Sequence, residues 1–193
     1  NREVRQVAIL DAQGNVAVHT GSRCIAEAGH HIGNQYSVQA NMMLKATVWP
    51  VMAEAFEGAH GTLSERMMAA LEAAQGEGGD IRGKQSAAML IVSPELTSEP
   101  WKGVLVDLRV EDHPEPLVEL RRLLNIQRAY EFMNQGDELM SKGKVEEAYS
   151  AYSQGCALAP GIVELPFWQA VTLIETHREK EAFPILKQVF QSE

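Results

Sequence analysis

Residues 129–160, AYEFMNQGDELMSKGKVEEAYSAYSQGCALAP, alternate small and large side chains at positions that suit two closely packed helices. Small residues let the backbones approach each other, and large apolar residues fill the space beside them. Counted from Ala129 as position 1, the key residues are Gly136 at 8, Leu139 at 11, Ala148 at 20, Tyr152 at 24, Gly155 at 27 and Pro160 at 32. Pro160 is placed to stop the second helix. The stretch predicts a helical hairpin.

This spacing resembles the 34-residue tetratricopeptide repeat. A shift by one repeat gives a weaker second copy with Ala170, Leu173, Ala182 and Leu186 at the corresponding positions. Pro184 departs from the pattern, and we expect it to shorten or kink the last helix. An all-α, tetratricopeptide-like C-terminal domain is therefore predicted.

Such repeats need about three units to be stable, so two copies require a neighbour. The segment 117–128 can provide it through Leu117, Leu120 and Leu124, which share one side of a helix. Two interpretations of these helices stay open. They form a groove for a peptide, another protein or a second copy of the chain, or they only cover the first domain or build a dimer.

The acidic, proline-containing run from Glu111 to Pro116 is the predicted boundary, which gives domains 1–116 and 117–193. Before it, β-rich runs alternate with helical patterns. Strands are predicted at 4–10, 16–20, 86–92 and 104–110, and a loop at 21–33. Helical patterns occur at 39–56, where Pro50 predicts a kink or two abutting helices, and at 63–74, where Thr62 is the predicted cap. A strand pair, helices and a second strand pair indicate an α+β class.

Composition excludes several classes of function. The formal net charge of the 193 residues is -9, and no basic stripe is interleaved with aromatic residues, so nucleic acid is not an expected partner. No apolar run approaches the ~20 residues of a membrane span, and no signal segment opens the chain. Two widely separated cysteines favour reduced thiols in a cytoplasmic protein.

Cofactors and metals are not expected. His19, Cys24, His30 and His31 match no standard zinc spacing. Histidines flanked by glycine more often form hydrogen bonds in turns.

The first domain resembles the family called domain of unknown function 1028. The resemblance lies in blocks that occur in family order over roughly residues 4–124: RQVA (5–8), DAQG (11–14), HTG (19–21), Cys24, AGH (28–30), QANM (39–42), GGDIRGKQSAA (78–88), DLRV (107–110) and DHP (112–114). The family is similar to N-terminal-nucleophile (Ntn) hydrolases, in which two sheets lie between helical layers. That resemblance implies a layered α+β fold and an N-terminal Thr, Ser or Cys that attacks an amide.

Asn1 has neither a hydroxyl nor a thiol, and family members usually have a further N-terminal stretch. Two alternatives follow from the resemblance. A segment with the nucleophile and the N-terminal strands is missing here, or the chain is a reduced form that cannot catalyse the reaction alone. On either alternative we expect the chain alone to be inactive.

Polar residues around the glycine-rich loop and the last strand suggest a ligand site. Arg82 can bind a carboxylate with two hydrogen bonds, and Arg109 lies on the strand that ends near His113. Asn41 is a candidate amide donor or oxyanion-hole residue, or else the cap of the following helix. The candidate ligand-binding residues are Asn41, Asp80, Arg82, Ser86, Asp107, Arg109, Asp112 and His113. They suit a small anionic amide or amino-acid derivative, and the alternative is an Asp–Arg network that holds a loop.

The prediction is thus an Ntn-type amidohydrolase whose nucleophile is not in this chain. The alternative is a non-catalytic protein-interaction or oligomerisation module that uses tetratricopeptide-like repeats. A homo-oligomer, a protein or peptide partner at the repeats and a small anionic ligand are the expected partners.

Overall fold

The computed structural model describes residues 1–191, without the side chain of Pro100. These residues form two compact units, Asn1–Leu120 and the part from Arg121 onward. The strands are β1 (Gln6–Leu10), β2 (Val16–Thr20), β3 (Gly29–Gly33), β4 (Tyr36–Ala40), β5 (Ala87–Val92) and β6 (Val104–Val110). The helices are α1 (Val48–Gly58), α2 (Leu63–Gly76), α3 (Pro116–Ser141), α4 (Val145–Leu158), α5 (Glu164–Glu175) and α6 (Glu179–Val189). The predicted α+β class is confirmed.

The predicted first hairpin is present. Strands β1 and β2 pair antiparallel from Gln6 opposite Thr20 to Leu10 opposite Val16. Its turn is closed by Asp11, whose Oδ1 accepts hydrogen bonds from the backbone N–H groups of Gln13 and Asn15 at 2.9 and 2.8 Å. An Asp at the start of a tight turn stabilises it in this way.

The loop predicted at 21–33 is wrong in its last part, because residues 29–33 form β3 and pair antiparallel with β4. Glycines at both ends of β3 lower its β-propensity, so the sequence pattern hides the strand. The structure explains these glycines. A Cβ on Gly29 would lie 2.3 Å from the Trp49 ring, and one on Gly33 would lie 1.9 Å from the Tyr36 ring. Glycine in a strand often marks such a close approach.

The first predicted helix begins later than expected and has no break at Pro50. Helix α1 starts at Val48, so Pro50 lies in its first turn, where the missing N–H has no intrahelical partner to lose. Helix α2 starts at the predicted cap, where Glu65 N–H donates to Thr62 Oγ1 at 3.4 Å. The strands predicted at 86–92 and 104–110 are present as β5 and β6, and the structure pairs them antiparallel.

The first unit has a core of modest size. Its most deeply buried large side chains are Val48 of α1, Met68 of α2, Met89 of β5 and Leu120 of α3. By contrast, β1 leaves apolar side chains in solvent: Val7 is 51% exposed, Ile9 63% and Leu10 58%. Burial on these small sheets is therefore incomplete.

The core of the helical unit contains the small residues that the sequence placed there. Ala148, Ala170 and Ala182 are completely buried. A Cβ on Gly136 would lie 2.3 Å from Cε1 of Tyr152, and one on Gly155 would lie 2.8 Å from the carbonyl oxygen of Ala129. Close packing at both positions thus requires glycine.

Pro184 lies inside α6 without ending it, since the helix continues to Val189. Upstream, α3 begins with Pro116 at its first helical position, which suits a residue without an N–H. None of the helices in residues 1–191 is long and apolar enough to cross a membrane.

Candidate functional site

Four of the eight predicted site residues line one cleft of about 640 Å³ in the first unit, which we call the Arg82 cleft. The four are Asp80, Arg82, Ser86 and Asp112. Lys84 and Gln85, which were not predicted, also line the cleft. The loop after α2 brings Asp80, Arg82 and Ser86 there, whereas Asp112 follows β6. Gly78 and Gly79, at φ +114° and +62°, turn the chain, and Leu44 N–H donates to the Gly79 carbonyl at 2.9 Å.

Within this cleft Arg82 is held by its own loop. Its Nε donates to Asp80 Oδ1 at 2.9 Å, and its second guanidinium nitrogen donates to Asp80 Oδ2 at 2.6 Å. The hydrogen bond from Arg82 holds the pKa of the Asp80 carboxyl below its ordinary value. The pair lowers the net charge that Arg82 offers to an anion, while Lys84 forms its own ion pair with Glu115.

Asp107 and Arg109 form a similar pair on β6. Arg109 Nε donates to Asp107 Oδ1 at 2.9 Å, and both side chains are exposed. They line a separate depression of about 510 Å³ that shares Ser86 with the Arg82 cleft. Ser86 is common to both surfaces, whereas Arg82 lines only the Arg82 cleft and Arg109 lines only the depression on β6.

His113 is part of a turn beside α3. Its backbone N–H donates to the Gln85 carbonyl at 2.8 Å, and its Nδ1 accepts from Glu115 N–H at 3.0 Å. Nδ1 therefore acts as a hydrogen-bond acceptor in this turn. His113 lines neither the Arg82 cleft nor the depression beside Arg109.

Asn41 belongs to a different polar network. Its Nδ2 donates to Gln6 Oε1 at 2.8 Å. The cap of α1 is Thr47, so the alternative role of Asn41 as the cap of that helix is wrong.

Gln6 is a residue that sequence reasoning did not single out. Its Nε2 lies 3.0–3.1 Å from three acceptors: Thr20 Oγ1 and the carbonyl oxygens of Gly29 and Ala40. The side chain thus joins the first hairpin to the second. The sequence did offer one indication of this role, because Gln6 is a polar amide at the start of an otherwise apolar strand.

The network borders a second cleft of about 460 Å³, which Thr20 and His30 line together with Ser22, Cys24, Glu27 and Trp49. His30 Nδ1 lies 2.8 Å from Thr20 Oγ1. Within residues 1–191, no three His, Cys, Asp or Glu side chains are placed to hold a metal ion.

The helical unit contains a groove of about 240 Å³, which we call the α3–α5 groove. Its floor is formed by Met133, Tyr152 and Leu165, which are buried. Its rim is formed by Tyr130, Asn134, Asp137, Glu164 and Trp168.

Tyrosine hydroxyls bind both carboxylates of this groove. Tyr130 donates to Glu164 Oε2 at 3.0 Å, and Tyr152 donates to Asp137 Oδ1 at 2.8 Å. Burial, with the Asp137 hydrogen bond, raises the pKa of Tyr152 to about 12, and the bond to Glu164 raises that of Tyr130. Both hydroxyls therefore remain donors at neutral pH.

The rim residues were not predicted from the sequence, although the 34-residue register of the repeats could have indicated them. Tyr130 and Glu164 are separated by 34 residues and so occupy the same position of the two repeats. Asn134 and Trp168 are related in the same way. Polar and aromatic residues at equivalent positions mark a shared face.

Comparisons with known proteins bear on the first unit. The model of a family of unknown function, DUF1028, matches residues 1–120. The crystal structure of protein SPO2555 from Silicibacter pomeroyi, also assigned to DUF1028, is similar with 33% identity and a TM-score of 0.50. The match covers 62% of this chain and 50% of that one, so the chain spans half the length of this relative. No curated protein matches significantly.

Proposed function

The chain belongs to the DUF1028 family of unknown function, and we propose that its helical unit, which follows the residues matched by the family model, is a protein-interaction module. The module binds a segment of a partner protein in the α3–α5 groove, on a tetratricopeptide-like scaffold. One observation carries this proposal: the groove has a buried apolar floor and an exposed aromatic and polar rim. That combination is typical of recognition surfaces.

The scaffold argument rests on the packing of small residues. Gly136 makes room for the Tyr152 ring, and Gly155 allows close approach to the backbone at Ala129. These contacts hold α3 and α4 together, so the rim residues on α3 stand on a rigid element. Rigid side chains lose less entropy on binding.

The test is selection of peptides from a randomised pool on the full chain, followed by affinity measurement with variants. Trp168 is 52% exposed on the rim, and we expect Trp168→Ala to abolish binding of the selected peptides. Phe183→Ala is the matched control, because Phe183 is 61% exposed in the same unit but does not line the groove. Peptides that bind Trp168→Ala as tightly as the original chain would contradict the proposal.

A second candidate is amide hydrolysis by an Ntn-type mechanism, with the nucleophile supplied outside these 193 residues. The convergence of Asp80, Arg82, Ser86 and Asp112 on the Arg82 cleft favours it, because such groups suit a small anionic amide or amino-acid derivative. In this proposal the cleft orients the substrate carboxylate, and catalysis comes from an N-terminal Thr, Ser or Cys.

This candidate is tested on the protein expressed from its complete gene. We expect turnover in a screen of small amides, and Arg82→Lys should raise KM because lysine cannot form the two-pronged contact. Lys102→Arg, at an exposed site outside the cleft, is the control. A complete protein without a Thr, Ser or Cys nucleophile, or one that turns over no amide, would contradict the proposed hydrolase activity.

A further inference from the structure

Several acidic side chains of the helical unit pair with a basic side chain, whereas within residues 1–191 the two carboxylates on the rim of the α3–α5 groove do not. Elsewhere, Glu146 and Glu181 both pair with Arg178, at 3.0 and 2.6 Å. Asp137 and Glu164 have only tyrosine hydroxyls as side-chain partners among the described residues. A hydroxyl donates a hydrogen bond but no charge, so the groove retains two negative charges on its rim.

From this contrast we propose that the α3–α5 groove binds an extended peptide by taking up one arginine or lysine side chain of the peptide. The inference rests on the proposed interaction function and names the chemistry of its partner. The cation would lie against Tyr130 and Trp168 and reach the carboxylates of Asp137 and Glu164.

The aromatic side chains suit the cation. Tyr130 is 39% exposed and Trp168 52% exposed, so both offer ring surface to a ligand. Tryptophan and tyrosine faces attract guanidinium and ammonium groups. The same unit contains such a contact, because the Arg178 guanidinium lies 4.0 Å from the ring centroid of Tyr149.

The size of the groove points to a side chain. Its volume of about 240 Å³ is below the roughly 300–1,000 Å³ of small-molecule pockets. The buried floor of Met133 and Leu165 can contact the methylene groups of a long side chain while its charged end stays at the rim.

Charge complementarity disfavours the other peptide classes. An acidic peptide would be repelled by the two carboxylates, and residues 119–193 carry eight Lys and Arg against eleven Asp and Glu, a net charge of -3. An apolar side chain would desolvate the carboxylates without pairing them, which is costly.

The experiment uses 19F NMR of the full chain with fluorotryptophan at its three tryptophans. The Trp168 signal is assigned with Trp168→Phe. The probes are acetyl-Gly-Ala-Xaa-Ala-Gly-amide peptides in which Xaa is arginine, lysine, citrulline or glutamate. Citrulline matches arginine in shape and lacks its charge.

We expect the arginine and lysine peptides to shift the Trp168 signal with a Kd about fivefold or more below that of the citrulline peptide. Asp137→Asn and Glu164→Gln should each reduce that preference. Glu175→Gln is the matched control, because Glu175 is an exposed carboxylate of the same unit outside the groove. It should leave the preference unchanged.

The outcomes separate this inference from the function on which it rests. If the citrulline or glutamate peptide binds as tightly as the arginine peptide, the cation inference is overturned while peptide binding stands. If the arginine preference persists in the Asp137→Asn/Glu164→Gln double variant, the cation is bound elsewhere and the inference is also overturned. If no probe and no peptide from the randomised pool shifts the Trp168 signal, both proposals fail.

Discussion

Replacing Gly136 by alanine tests the packing on which the helical unit depends. In an unobstructed helix this change would stabilise by about 1 kcal/mol, because glycine has the lower helix propensity. Here the new Cβ would lie 2.3, 2.5 and 2.8 Å from ring atoms Cε1, Cδ1 and Cζ of Tyr152. The two effects have opposite signs, so the sign of the result decides between them.

The magnitude follows from what Tyr152 would lose. Its side chain is 1% exposed, so the ring cannot move without disturbing its neighbours. Overpacking of this kind costs about 1–3 kcal/mol. A displaced ring also gives up its 2.8 Å hydrogen bond to Asp137, worth about 1 kcal/mol. After the propensity gain, we expect Gly136→Ala to lower the free energy of unfolding by about 1–3 kcal/mol.

The assay is urea unfolding of the full chain, followed by circular dichroism and by tryptophan fluorescence. Gly76→Ala is the control, because Gly76 ends α2 and a Cβ added there would have no neighbouring atom within 4 Å. It should leave stability within about 0.5 kcal/mol of the original. In a Tyr152→Leu background, which lacks the ring, the cost of Gly136→Ala should shrink. A Gly136→Ala variant more stable than the original chain would refute the reasoning.

Four further predictions follow from individual contacts. Gln6→Leu should lower the free energy of unfolding by about 1–3 kcal/mol in urea titrations, because its partners in two hairpins lose their hydrogen bonds. Burial raises the pKa of Tyr152 to about 12, so the stability that its neutral hydroxyl contributes is complete below the ordinary tyrosine pKa and is lost as the pH rises towards 12. Tyr152→Phe should remove this alkaline loss of stability from unfolding curves, and the corresponding step from phenolate absorbance titrations. Burial raises the pKa of the Cys156 thiol, so iodoacetamide should alkylate it more slowly in the native chain than in urea, as measured by mass spectrometry, and equal rates would contradict its burial. The chain should self-associate through exposed apolar residues such as Ile9, and Ile9→Lys should shift its sedimentation towards the monomer.

Local signals predicted a large part of the fold. Asp11 closes the first hairpin through its own backbone contacts, Thr62 caps α2, and the alternating pattern at 104–110 forms β6. These features depend on residues that are close in sequence, so a linear pattern contains the information. The small residues of the helical register were predictable for the same reason, since a repeat encodes its own neighbours.

Long-range packing decided what the patterns missed. The second hairpin depends on Gly29, because the ring of Trp49, twenty residues away in sequence, leaves no room for a side chain at that position. A strand with glycine at both ends has no local β signal, and its stability comes from pairing and from the side chains that cover it.

The candidate sites show the same division. Sequence alone determined that Asp80 and Arg82 are neighbours in a glycine-rich loop, and that Ser86 lies next to a strand. Only the tertiary structure decided that Arg82 is bound to Asp80, which limits the charge it offers to a ligand. It also decided that the Tyr130 hydroxyl donates a hydrogen bond to Glu164, one 34-residue repeat further along the chain, at the rim of an acidic and aromatic groove. The physical reason is that composition sets which charges a chain has, whereas packing sets which of them are paired.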